Sequence, residues 1–155
     1  MKPLYKWLSI SAVIVVVDLY TKHLIQNAFE YSEHLTVTPF FDLVRYHNEG
    51  AAFSFLADAG KKKKWFFSGV SIIAVIVITY LLKKHQHEKL FCFGLALVLG
   101  GAIGNLYDRL TLGYVVDFLH FYYQTYAWPA FNVADSAICV GVALLLTDSF
   151  KKPAT

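Results

Sequence analysis

The chain has 155 residues, of which 57% are hydrophobic and only 16% charged, where an ordinary soluble domain carries about 25% charged residues. Its net charge is +3 and its lysines fall in several separate groups, with no basic face interleaved with aromatics, so a nucleic-acid surface is excluded. The only cysteines, Cys92 and Cys139, lie in apolar segments without a second thiol or a histidine at ligand spacing; this excludes a disulfide framework and a zinc site, and no metal or other cofactor is expected.

The first apolar segment covers residues 7–25, with Asp18 and Lys22 in its second half. Lys2 and Lys6 precede it as they would a cleavable leader, but the run continues into Asp18-Leu-Tyr-Thr-Lys22 with no small-residue cleavage site, so the segment is read as retained. Four residues apart, Asp18 and Lys22 can form an ion pair that anchors the helix end, or take a direct part in chemistry. A long polar and aromatic stretch, residues 26–64, follows. Within it residues 36–44 are rich in Thr, Val and Phe around Pro39, which suggests short strands or interfacial elements. Its end, Lys61 to Lys64, reads as a solvated or headgroup-facing run.

The second apolar segment, residues 65–82, is joined by a basic turn, 83–89, to the third, 90–107. Gly100 and Gly104 in the third form a small-xxx-small pair that lets a neighbouring helix approach closely. Asn105, Asp108 and Arg109 share a helical face at its end. Residues 108–130 make a second aromatic loop. Its stretch 112–123 alternates as a strand would, and Phe118, Phe121, Tyr122, Tyr123, Tyr126 and Trp128 read as an interface belt. The fourth segment, 131–147, opens with Asn132 and Asp135, three apart and on one face. Each segment matches the roughly 17 to 25 residues needed to cross a bilayer. The expectation is a mainly α membrane protein of four transmembrane helices, about 7–25, 65–82, 90–107 and 131–147, in one domain spanning 1–155.

An even number of crossings places both termini and the turn 83–89 on one side. Asp18, Asn48, Asn105, Asp108, Arg109, Asp117, Asn132 and Asp135 then all reach the other. Charge counting does not orient this arrangement, because seven basic residues fall on each side.

Ionisable groups beside hydrocarbon point by default to function, and Asp117 and Asp135 form the notable pair. Metalloprotease chemistry fails at His87-Glu-Lys-Leu-Phe91, which lacks the second histidine. A serine hydrolase elbow fails at Phe66-Phe-Ser-Gly69, which lacks the first glycine. Two carboxyls that share one proton suit hydrolysis: the ionised one takes a proton from water while the other polarises the scissile carbonyl. Arg109 offers a planar fork of donors suited to peptide carbonyls, or pairs with Asp108 or a lipid phosphate. The polar set is also compatible with a proton-coupled transporter or with a non-catalytic membrane assembly protein, although the second span holds no acidic group.

Five motifs in order, Asp18-Leu-Tyr-Thr-Lys22, Asn48-Glu-Gly-Ala-Ala-Phe53, Gly100-Gly-Ala-Ile-Gly-Asn-Leu-Tyr-Asp-Arg109, Gly113-Tyr-Val-Val-Asp-Phe118 and Phe131-Asn-Val-Ala-Asp-Ser136, resemble those of the bacterial lipoprotein signal peptidases. The resemblance covers nearly the whole chain. It implies an intramembrane aspartic protease of four transmembrane helices with a small extracytoplasmic β-cradle and an interfacial helix. Such an enzyme removes signal peptides from diacylglyceryl-modified prolipoproteins on the N-terminal side of the lipid-bearing cysteine. By motif position the catalytic pair would be Asp117 and Asp135. Asn48, Asn105, Arg109 and Asn132 would bind the substrate, and Asp18, Lys22 and Asp108 would support the shape of the site. The resemblance further implies the bacterial cytoplasmic (inner) membrane, with cytoplasmic termini and an outward-facing site. Membrane lipids and the inhibitors globomycin and myxovirescin would be partners of a monomer. The Lys61 to Lys64 run matches no motif of the family.

Overall fold

The computed structural model describes residues 3–50 and 61–151; residues 51–53 of the second motif lie outside them. The apolar runs form four helices: α1 (Pro3–Ala28), α2 (Lys61–Lys84), α3 (Lys89–Thr111) and α4 (Val133–Lys151). All four are long and apolar enough to cross a membrane. In α1 the run from Val13 to Val17 is entirely β-branched, a composition that favours strands in water. In hydrocarbon, where every backbone N–H and C=O must be satisfied within the segment, it forms a helix.

Helix α3 is central, packing against α1, α2 and α4. More than half of its apolar span is buried, against less than a quarter of each of the others. Its glycines make this possible. A Cβ on Gly100 would collide with Ile14 and the Ser11 carbonyl of α1, and one on Gly101 would strike the Ala134 carbonyl of α4. Close approach at these points is therefore built on missing side chains, as in other membrane helix pairs. At the end of the bundle where α1 begins, Trp7, Ile78, Leu82, Cys92, Leu95 and Leu99 form a buried cluster. There the Trp7 indole Nε1 donates to the Gln86 carbonyl at 3.0 Å, which sets the start of α1 beside the α2–α3 turn.

At the opposite end lies an antiparallel sheet in the order β1 (His34–Thr38), β2 (Phe41–Asn48), β3 (Val115–Tyr123) and β4 (Tyr126–Ala127). The expected strand region 36–44 divides at a Pro39–Phe40 turn, where proline supplies no N–H for a ladder. Val116 and Phe118 pack against Ile25 of α1, so Phe118 belongs to the core and not to the aromatic belt. The Arg45 guanidinium donates to the carbonyls of Gln26 and Phe29 at 3.2 and 2.7 Å, capping the exposed acceptors where α1 ends. Along β2 and β3 the register runs from Phe41↔Phe121 to Leu43↔Leu119 and then shifts before Tyr46↔Asp117. A bulge of this kind re-aims nearby side chains, and such bulges often border functional sites.

Two helix starts differ from expectation. Helix α2 begins at Lys61, four residues before the apolar run, and the Lys64 ammonium donates to the Leu110 carbonyl of α3 at 3.0 Å. Helix α4 begins at Val133 because Phe131 is held in the sheet: its N–H donates to Leu119 O at 3.0 Å and its carbonyl accepts from Leu119 N–H at 2.9 Å. The expected interfacial helix has no counterpart among the described residues.

Candidate functional site

Asp18 and Lys22, one turn apart on α1, are both buried to within 1% of their surface. The three ammonium hydrogens of Lys22 are matched by three acceptors: Asp18 Oδ2 at 2.7 Å, Asp108 Oδ2 at 3.0 Å and Asn105 Oδ1 at 3.0 Å. The remaining capacity of the two carboxylates ties further elements in. Asp18 Oδ1 accepts the Ala134 N–H of α4 at 2.8 Å, and Asp108 Oδ2 accepts the Val116 N–H of β3 at 3.1 Å. One lysine thus joins α1, α3, α4 and β3, in a setting where each unsatisfied polar group costs several kcal/mol. Gly104 leaves the space that Asp18 fills, since a Cβ there would collide with its carboxylate.

Above this lock sit the other two aspartates. Asn132 caps α4: its Oδ1 accepts the Asp135 N–H at 2.9 Å, while Asp135 Oδ2 accepts the Asn132 N–H at 3.3 Å. This reciprocal pair is a capping box, with Asp135 at the third helical position. The second oxygen of Asp135 accepts from Asn105 Nδ2 at 2.8 Å. Asp117, on β3 beside the bulge, accepts from Asn132 Nδ2 on Oδ1 at 2.9 Å and from Asn48 Nδ2 on Oδ2 at 3.0 Å. Every carboxylate oxygen of the pair therefore holds an N–H donor, and Asn132 touches both side chains.

Burial pushes the Asp117 carboxyl up to about 7; the negative Asp135 adds to this, against the Asn48 and Asn132 donors and the Lys22 charge. Between its ordinary value of 3.8 and about 7 the folded protein holds a proton that the unfolded chain has released. Stability contributed by this group is therefore complete at low pH and is lost as pH rises through about 7, by an amount on the order of 4 kcal/mol. Asp117→Asn should flatten that slope, so its melting temperature in detergent should change less than the parent's between about pH 5 and about pH 8. Equal slopes would contradict the assignment.

The eight residues expected on one face do gather at one end, with Lys22 beneath them. Seven join a continuous hydrogen-bonded network with it. Arg109 stands beside that network: no carboxylate lies within 4.0 Å of it among the described residues, and Asp108 pairs with Lys22 instead. Its Nη1 reaches the Asn105 carbonyl at 3.5 Å, and its guanidinium carbon lies 5.6 Å from the centre of the Phe67 ring. Phe67 was not legible as a site residue, being one more apolar side chain in an apolar run. Next to Asp135 opens a cavity of about 460 Å³, lined largely by apolar atoms of Trp128, Phe131, Cys139 and Val140. No group of three or more His, Cys, Asp or Glu side chains able to hold a metal occurs among the described residues.

Residues 10–151 match the family model described as signal peptidase (SPase) II. A lipoprotein signal peptidase of Ralstonia nicotianae is 51% identical over 146 residues, covering 94% of this chain and 84% of the relative. That of Cupriavidus necator is 50% identical, covering 94% and 83%. Two solved bacterial membrane enzyme structures superpose with TM-scores of 0.85 and 0.81. They are 30% and 31% identical, and cover 96% and 97% of this chain and 94% and 93% of theirs.

Proposed function

Because the chain belongs to the signal peptidase II family, whose members remove signal peptides from prolipoproteins, we propose that it does so as an aspartic endopeptidase with Asp117 and Asp135 as its catalytic pair. The observation that carries this is the shared donor: Asn132 bonds both carboxyls, at 2.9 Å and 3.3 Å, in a setting where Asp117 keeps a proton to about neutral pH. One proton shared between them gives an acid and a base at once. The ionised carboxylate takes a proton from a water molecule, and the oxygen of that water adds to the scissile carbonyl. The protonated carboxyl gives its hydrogen to the carbonyl oxygen; the C–N bond of the tetrahedral species then breaks as the proton taken from water passes to the leaving amine, and the other carboxylate recovers its proton from a hydroxyl of the gem-diol. The pair is treated as a unit, without fixed roles.

Asn48, Asn105, Arg109 and Asn132 hold the substrate backbone in this reading, with Asp18, Lys22 and Asp108 beneath them as support. The bond cleaved lies on the N-terminal side of a diacylglyceryl-modified cysteine. At the bilayer interface the acyl chains stay in hydrocarbon while the scissile bond meets water. The protein works as a monomer in the bacterial inner membrane with its termini cytoplasmic and the site outside, and globomycin and myxovirescin compete for the same site. The test is the purified protein with prolipoprotein made with and without the diacylglyceryl group, its products read by mass spectrometry. The expected product begins at the lipid-modified cysteine, and only the modified precursor yields it. Cleavage at another bond, or equal cleavage of both precursors, would overturn the proposal.

A further inference from the structure

Arg109 has an unusual setting for a half-buried cation. Lys22 spends its three hydrogens on protein acceptors, whereas among the described residues the Arg109 guanidinium has a single long bond, to the Asn105 carbonyl at 3.5 Å, and rests at 5.6 Å from the Phe67 ring centre. An aromatic face attracts a guanidinium without occupying any of its N–H groups. A carboxylate in the same place would consume two donors and cancel the charge. The same ring has a second contact. Gly50 has φ +96, and a Cβ built there would fall onto Phe67, with Cδ2 and Cζ of the ring at 3.0 Å. The Gly50 N–H donates to Asn48 Oδ1 at 2.8 Å, and Asn48 Nδ2 donates to Asp117 at 3.0 Å. Phe66 meets the Phe67 ring edge-on at 5.3 Å and limits its movement.

We infer that Phe67 is a positioning residue for peptide cleavage: its ring holds the Arg109 guanidinium at the site with its donors free for a substrate carbonyl, and seats the Asn48–Gly50 turn on its other contact. The inference rests on the proposed role of Arg109 in holding substrate. One ring on α2 thereby aligns a cation from α3 with an amide from β2, two groups that share no direct contact among the described bonds.

The experiment measures steady-state cleavage of diacylglyceryl prolipoprotein by Phe67→Leu, Phe67→Tyr and Phe67→Trp, each checked for its melting temperature in detergent. Leucine fills space beside Gly50 but has no quadrupole. It should raise KM with little change in kcat and lower kcat/KM by roughly 2- to 30-fold, the loss equivalent to a cation–π contact. Tyr and Trp should restore most of it. A cycle with Arg109→Gln is read as substrate Kd in the Asp117→Asn background, where turnover does not interfere. There Phe67→Leu should weaken binding when Arg109 is present and have no further effect when Gln replaces it. Equal losses in both backgrounds, a loss in Phe67→Tyr as large as in Phe67→Leu, or an unchanged Phe67→Leu enzyme would each overturn the inference. If the parent protein leaves prolipoprotein intact, the proposed function fails instead. If Arg109→Gln alone leaves Kd unchanged, the assigned role of Arg109 fails, and the inference with it.

Discussion

Asp117→Asn and Asp135→Asn should each reduce prolipoprotein cleavage by roughly 10³-fold or more while the protein remains folded in the membrane. The magnitude follows from the loss of proton transfer by one positioned group, worth about 10² to 10⁴, together with loss of the shared proton itself. The substitution keeps the shape of the side chain. At Asp117 an amide would set one NH₂ group against the Asn48 or Asn132 donor, a local cost of about 1–3 kcal/mol. It would also remove the penalty of a buried charge, so the fold should survive. At Asp135 the capping box would lose an acceptor of full charge, but Asn132 would keep its own bond to the N–H at position 135. The double variant should be no slower than the slower single one, because groups that act as a unit are not additive. The check is initial cleavage rate with accumulation and helix content measured on the same preparations. Full activity in either single variant would remove that residue from the pair.

Lys22→Met should be the most damaging change to stability. It leaves Asp18 and Asp108 as buried carboxylates without a counter-charge, and Asn105 Oδ1 with only the longer bond from Asn132 Nδ2 at 3.3 Å. Breaking a buried ion pair from one side costs about 3–5 kcal/mol, a large share of the 5–15 kcal/mol that typically separates folded from unfolded protein. The variant should accumulate poorly and melt at lower temperature. Asp18→Asn and Asp108→Asn added to Lys22→Met should recover part of the loss, since neutral amides remove the unpaired charges. A Lys22→Met protein that melts like the parent would mean that the buried triad contributes nothing net.

Four crossings and the polar end of the bundle were legible because hydrophobic runs of bilayer length leave few alternatives. An even count then forces Asp18, Asn105, Asp117 and Asp135 together. The Asp18–Lys22 spacing announced a pair without telling an anchor from a reacting group, and only burial and the third partner, Asp108, show the lock. Neighbouring residues on a helix diverge by about 100°, so Asp108 and Arg109 face different surroundings, which spacing could have indicated. Asn132 and Asp135 were placed on one face, while their relation as cap and third helical residue depended on where α4 begins. That start is set by the sheet's hold on Phe131, a long-range contact that local pattern does not contain. Phe67 carries no signal in sequence, because a ring that holds a cation and one that faces lipid look the same in an apolar run.

The bond from Asp18 to the Ala134 N–H joins positions 116 apart in the chain. A growing polypeptide can therefore hold three helices and all four strands and still lack the contact that closes the polar centre, since Ala134 and Asp135 of α4 follow them in the chain. Chains stopped before α4 should therefore be silent, with activity beginning only once α4 has folded against α1.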